Sequence, residues 1–175
     1  MGTEVKPPSE WTKETRSEFK SLICEGGEVT TVGLTERIEN ALALVCHRAG
    51  DKLIGIAALK RPAESYRAKV SEQSGVTLSN DAFPFELGWV YVRPEGRKCG
   101  VSKQLVATCL EVTDSAGVFA TTREDNDPMR CCLAKSGFKR VGHPYESEHG
   151  DHYLVVYVRE EQKPDSIGTP VVSGT

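Results

Sequence analysis

FELGWVYVRPEGRKCGVSKQL, residues 85–105, is the stretch whose reading decides the fold of this chain. Its first eight residues are aromatic, β-branched and nearly uncharged, as a strand buried in the middle of a sheet must be; the one charge is Glu86. Over 96–105 there are two glycines, three cations (Arg97, Lys98, Lys103) and no acid. Val101, Leu105, Val106, Cys109, Leu110 and Thr113 then recur at helical spacing, with Gly117 as a stop. Strand, glycine loop and helix in succession bring unpaired backbone N–H groups and the positive end of a helix dipole together. That arrangement holds an anion.

The flanking sequence supplies the rest of a layered domain. Upstream, Ser9 is placed to cap a helix in which Trp11, Thr15, Phe19, Leu22 and Ile23 share a face, and Gly26 and Gly27 end it. A short helix is expected over 34–41. Apolar runs over 42–46 and 53–59, separated by Ala49, Gly50 and Asp51, form a β-hairpin pattern. Residues 61–80 are long for a hairpin loop and carry helical spacing in Tyr66, Lys69 and Val70 before Gly75. Downstream, 118–122 returns as a strand, Pro128 opens a helix that Gly137 ends, and 139–141 and 153–158 are closing strands. This predicts one domain over 9–159, a flexible lead-in over 1–8, and a disordered tail over 160–175 rich in Pro, Gly, Ser and Thr.

Composition narrows the function. With 175 residues and 38% hydrophobic content, the chain is long enough to bury a core without disulfides. A net charge of -3 argues against nucleic acid or an anionic membrane as partner, so any anion site is local and its ligand small. No run approaches a membrane span of roughly 20 apolar residues, and MGTEVKPPSE has no apolar signal core. The cysteines Cys24, Cys46, Cys99, Cys109, Cys131 and Cys132 lack framework spacing, which fits a reduced cytoplasmic setting. His143, His149 and His152 lie in a polar turn-rich stretch without a partnering thiolate or tight helical spacing, so no metal site is expected.

Two nucleotide motifs fail on spacing. A Walker A loop needs Lys and Ser or Thr directly after its last glycine, but Val101 follows Gly100. A dinucleotide fingerprint needs three glycines where Gly96 and Gly100 alone are available. Arg97, Gly100 and Ser102 instead make R-x-x-G-x-S. This resembles the pyrophosphate loop, [QR]-x-x-G-x-[GA], of the GCN5-related N-acetyltransferase (GNAT) family, with Ser102 departing at the last position. ELGWVYVRPEGRKCG looks like the family's fourth strand and its loop. NDPMRCCLAKSGF, 126–138, is similar to the family's N-P-x-A-x-x-L-Y-x-K-x-G-F block, with Asn126, Lys135, Gly137 and Phe138 in register.

The resemblance implies an α/β (α+β) fold: a mixed sheet of about six or seven strands flanked by about four or five helices. It implies an acetyl-CoA-dependent N-acetyltransferase acting on a small-molecule or protein amine. Main-chain N–H groups near Lys98, Gly100, Ser102 and Lys103, with Arg97 beside them, would take the CoA pyrophosphate. Val90, Tyr91 and Val92 would lie along the pantetheine arm where the strand bulges, and Asn126 would face its amides. The Val92 N–H is the best-placed donor to polarise the thioester. Glu86 stands where several members place a glutamate base. The alternative for Glu86 is a carboxylate paired with Arg61 or Arg93.

Leu133 occupies a position where the family block often has a proton-donating tyrosine, and Tyr145 and Ser136 are the substitutes on offer. Cys131 and Cys132 raise the option of an acyl-cysteine route, but their places in the block match packing or solvent-facing residues, so direct transfer is favoured. The long segment over 62–80 should border the acceptor mouth, which makes Tyr66, Arg67 and Lys69 candidates for acceptor selection. Pairing through the last strands, common in the family, leaves a homodimer open. A CoA sensor or scaffold that has lost catalysis is the competing class.

Overall fold

The computed structural model describes residues 2–27 and 29–162. The tail from 163 onward, and the disorder expected there, lie outside the described residues. Among the described residues, seven strands and five α-helices alternate along the chain: β1 (Gly2–Lys6), α1 (Lys13–Gly26), α2 (Leu34–Glu39), β2 (Ala43–Ala49), β3 (Lys52–Lys60), α3 (Glu64–Ser74), β4 (Phe85–Val92), α4 (Val101–Glu111), β5 (Val118–Arg123), α5 (Asp127–Lys135), β6 (Lys139–Glu146) and β7 (Tyr153–Arg159). The strands form one sheet in the order β1-β2-β3-β4-β5-β7-β6. Every neighbouring pair is antiparallel except β4 and β5, which α4 joins as a crossover.

Alternation along the strands sorts the core onto two faces. Val45, Ala57, Leu59, Leu87, Ala120, Val155 and Tyr157 face α4 and α5 and form one cluster with Val101, Leu105, Val106, Cys109 and Leu133. The opposite face carries two separate clusters. Leu44, Cys46, Ile56 and Ala58 meet Phe19, Leu22, Ile23, Leu34 and Ile38 of α1 and α2. Phe119, Val156 and Val158 meet Val70 of α3 and Leu78. Among the described residues, helices therefore leave the middle of this face uncovered, over the central strand β4.

Three boundaries differ from the sequence reading. The lead-in over 1–8, expected to be flexible, supplies β1, which pairs with β2 from Gly2 opposite Arg48 to Lys6 opposite Leu44. The exposed edge of β2 offers a ladder, Val5 packs on the core, Thr3 Oγ1 lies 2.7 Å from His47 Nδ1, and Trp11 Nε1 donates to Lys6 O at 3.2 Å. The first helix is capped by Thr12, whose side chain accepts from Thr15 N at 3.1 Å. Ser9 lies in a 3₁₀ turn, Pro8–Glu10, that ends at Trp11, where the backbone is extended (φ -89°, ψ 144°).

β6 is longer than expected, because the turn-like residues at its centre form a bulge. Its register shifts between Val141 and Tyr145, and Gly142 adopts φ 66°. A Cβ at Gly142 would stand 2.3 Å from Ser74 O, so this glycine also lets β6 approach the end of α3.

Candidate active site

β4 is built to open. It pairs with β5 from Phe85 opposite Val118 to Leu87 opposite Ala120, and the pairing stops there. On its other side, the register with β3 passes from Gly88 opposite Ala58 to Tyr91 opposite Ile56, so Trp89 and Val90 together oppose Ala57. This is a bulge, and Trp89 has φ 51°, a left-handed value rare for a bulky residue. Its indole is held edge-on to Phe19, 6.3 Å between centroids, which anchors the bulge on α1.

The ladder also fixes where the main chain past the bulge points. Arg93 N donates to Ile54 O at 2.8 Å, and bonded and non-bonded pairs alternate in an antiparallel ladder. The next pair back, Val92 with Gly55, is then of the non-bonded kind, which turns the Val92 N–H and C=O away from β3 into the gap. Arg97 Nε donates to that carbonyl at 3.0 Å. The Val92 N–H remains directed at the gap.

At the open end, the chain turns through Pro94–Gly96 and enters α4 from Gly100, φ 78°, with Lys98 also left-handed at φ 62°. Gln104 N closes the first turn onto Gly100 O at 3.1 Å, so the N–H groups of Val101, Ser102 and Lys103 have no place in the intrahelical ladder. A Cβ built on Gly100 meets nothing within 4 Å. Lys98 and Lys103 are exposed beside this turn. Gly55 brings the turn onto the sheet: a Cβ there would lie 2.9 Å from Val101 Cγ1. Open donors, a helix dipole, two cations and open space fit a pyrophosphate.

At the closed end, on the uncovered face, stands Glu86, 2% exposed. Tyr66 of α3 donates to Glu86 Oε1 at 3.0 Å. Lys60, opposite Glu86 in the β3–β4 register, places Nζ 2.7 Å from Oε2, an ion-pair contact without the alignment of a hydrogen bond. The Lys60 ammonium lies 5.6 Å from the Tyr66 ring centroid and 5.2 Å from that of Trp89. Although 37% of Tyr66 is exposed, its hydroxyl is turned inward to Glu86 and Thr121, and burial, with the Glu86 charge, pushes its pKa well up. Burial likewise raises the Tyr145 phenol, again assisted by Glu86. Both hydroxyls keep their protons at neutral pH. These groups line a cleft of about 480 Å³ that also takes in Gly88, Trp89, Val90, Thr121, Asn126 and Tyr145.

A model of the acetyltransferase (GNAT) family matches residues 7–138. The chain belongs to the GNAT family. The crystal structure of Escherichia coli ElaA is similar to this GNAT chain with TM-score 0.67 and 16% identity, over 91% of this chain and 100% of that one. The ribosomal-protein-S18-alanine N-acetyltransferase from Escherichia coli gives TM-score 0.62 and 9% identity, over 95% and 98%. Arabidopsis thaliana NAA60, in complex with a bisubstrate analogue, gives 0.63 and 12%, over 91% and 98%. At such identities the likeness is one of GNAT fold. None of the curated proteins matches.

Against this GNAT framework, the anticipated residues divide. Glu86, Tyr66, Val90 and Asn126 come together around the cleft, with Lys69 on its rim. Asn126 is at the same time the cap of α5, its Oδ1 accepting from Met129 N at 3.2 Å. Arg97, Lys98, Gly100, Ser102 and Lys103 gather at the α4 entry, at the other end of the opening.

Arg67 is a correction. It is 2% exposed, outside the cleft, and donates to the carbonyls of Leu78, Phe83 and Pro84 and to Asn80 Oδ1, with its guanidinium 5.5 Å from the Phe119 centroid. It organises the loop between α3 and β4. Tyr91 also departs from expectation: it shares the bonded parity of Arg93, so its main chain faces β3, and its ring packs beside Gly26. Neither suspected partner of Glu86 reaches it. Arg61 donates to the carbonyls of Asn40 and Ala41, and Arg93 holds Glu25 through two hydrogen bonds.

Leu133 is fully buried in the main cluster. Ser136 donates to Cys132 O at 2.9 Å, whereas Tyr145 lines the cleft. Cys131 is exposed and Cys132 half-buried on the main core, where burial raises its thiol pKa. Among the described residues no three of His, Cys, Asp and Glu converge as a metal-binding group. His143 packs at Gly75, while His149 and His152 border the cleft. Sequence reasoning missed Lys60 and Trp89. Lys60 closes an apolar strand, and its importance follows from the β3–β4 register; Trp89 sits inside a run whose apolar character hides the bulge.

Proposed function

We propose that the protein transfers the acetyl group of acetyl-CoA directly to a primary amine of a small molecule or protein in the cytoplasm. The observation that carries this reading is the coincidence, on one splayed strand, of a buried carboxylate at the closed end and an open helix N-terminus at the other. Acetyl-CoA supplies the activated thioester. The first turn of α4, with Lys98 and Lys103, holds its pyrophosphate. Val90 and Asn126 border the arm, and the Val92 N–H, aimed into the gap, stabilises negative charge developing on the carbonyl oxygen. Glu86 takes the proton of the attacking ammonium, and the Tyr66 hydroxyl holds the carboxylate in place for it. Tyr145 is a protonated hydroxyl on the cleft wall and can return a proton to the leaving thiolate. Lys69 and Gln73 of α3 face the acceptor's entry.

Isothermal titration with acetyl-CoA, followed by thiol release against amines, polyamines, amino acids and lysine peptides, tests the reading. Binding with acceptor-dependent release is expected, and Glu86→Gln should lower turnover by about 10²–10⁴-fold with acetyl-CoA affinity unchanged. Binding without release from any acceptor would favour a CoA sensor, and absence of binding would remove the assignment of the α4 turn.

A further inference from the structure

Both oxygens of Glu86 are already engaged in the free protein. Oε1 accepts from the Tyr66 hydroxyl at 3.0 Å, and Oε2 faces the Lys60 ammonium at 2.7 Å. Among the described residues Oε2 is otherwise without a hydrogen-bond partner, and it is shielded from solvent. An external amine can reach this oxygen only by displacing Lys60. The amine that stands within reach of the candidate base, on the floor of the cleft, belongs to the chain itself.

The surroundings of Lys60 are those of an acceptor site. Its ammonium lies between the Tyr66 and Trp89 rings, at 5.6 and 5.2 Å from their centroids, a setting that binds alkylammonium groups. Its side chain is 17% exposed and runs across Gly88, where a Cβ would come within 2.8 Å of Lys60 Cδ. A larger residue at 88 would close that path. Lys60 shares the cleft with Val90 and Asn126; it stands on β3, and its side chain crosses Gly88, the first residue of β4 past the pairing with β5. A cross-strand ion pair serving stability alone needs neither the two rings nor the missing side chain at 88.

We infer that Lys60 is a self-acetylation site. The inference rests on the acetyltransferase reading above. Glu86 accepts a proton from the Lys60 ammonium, and the freed Nζ lone pair attacks the thioester carbonyl carbon. The new C–N bond forms as the C–S bond breaks, and Nζ loses its second proton. CoA leaves as the thiolate and is protonated, so one acetyl-CoA and one Lys60 ammonium give Nε-acetyl-Lys60, free CoA and one proton. The acetylated side chain is uncharged, Oε2 loses its counter-ion, and the carboxylate becomes open to an external amine. Self-acetylation thereby converts a blocked base into an available one.

The test is incubation of the full-length protein with acetyl-CoA, with intact-mass and peptide mass spectrometry over time and acetyl-CoA binding measured in parallel by titration. The expected result is one acetyl group per chain, mapped to Lys60, at a rate independent of protein concentration, absent from Lys60→Arg and slowed at least tenfold in Glu86→Gln. Both variants should bind acetyl-CoA as the parent does, which shows that they are folded. Binding of acetyl-CoA with Lys60 unmodified, or with label scattered over exposed lysines such as Lys98 and Lys103, overturns the inference and leaves the transferase reading standing. A failure to bind acetyl-CoA defeats both.

Discussion

Tyr66 and Arg67 are neighbours in sequence with opposite fates, and helix geometry explains why. Successive residues on a helix point about 100° apart, so Tyr66 of α3 reaches Glu86 while Arg67 turns under the helix onto Phe119. The guanidinium satisfies three main-chain carbonyls of the 76–84 loop. Arg67→Met should therefore act on stability: stranding buried acceptors costs about 1–3 kcal/mol each, and the denaturation midpoint should fall markedly with acetyl-CoA affinity little changed. Unchanged stability with a raised acceptor KM would return Arg67 to the substrate site. Glu86 was legible as a lone charge in an apolar strand. Its partners were not, because Lys60 and Tyr66 meet it through sheet register and helix rotation.

At the scale of elements, the loop and helix after β4 were legible because glycine placement and apolar spacing are local signals. Their fit against β3 was not, since Gly55 lies in an apolar run with nothing to mark it. Gly55→Ala places a Cβ within 2.9 Å of Val101 Cγ1 and 3.2 Å of Leu105 Cδ1. Overpacking of this kind costs about 1–3 kcal/mol, and the strain is relieved by lifting the first turn of α4. The variant should lose both thermal stability and acetyl-CoA affinity, read by melting and titration; a stability loss with undiminished affinity would show that the turn is not the pyrophosphate seat. α3 is the complementary case. It borders the cleft through Tyr66, Lys69, Val70 and Gln73, and Lys69 pairs with Glu148 of the facing loop. Replacing Lys69 and Gln73 together by Ala, with Arg67 retained, should redistribute rates across an amine panel without altering acetyl-CoA binding. A pattern of rates unchanged from the parent's would place acceptor selection elsewhere.

At the scale of the molecule, seven strands among the described residues share one sheet, and the part least visible in sequence is its first edge. Gly2–Lys6 has too few apolar residues to announce a strand; what holds it is the unpaired edge of β2 and the contact between Thr3 and His47. His47 is 4% exposed, its Nε2 has no hydrogen-bond partner among the described residues, and burial lowers its pKa. A proton added to that ring would be buried without compensation, so the unfolded chain binds it more tightly than the folded one. Stability is then full above the unfolded value of about 6.5 and falls as the pH drops below it toward the lowered folded value. The melting temperature should decline between about pH 7 and pH 5, and His47→Gln, which keeps a polar side chain of similar reach without a titrating proton, should flatten that decline. Because the ring ties β1 to β2, hydrogen exchange at β1 amides should quicken over the same pH range in the parent and not in the variant. Equal acid sensitivity in both over that range would remove His47 as its source; carboxylates paired in the folded state, such as Glu25 with Arg93, lose their contribution only at more acidic pH.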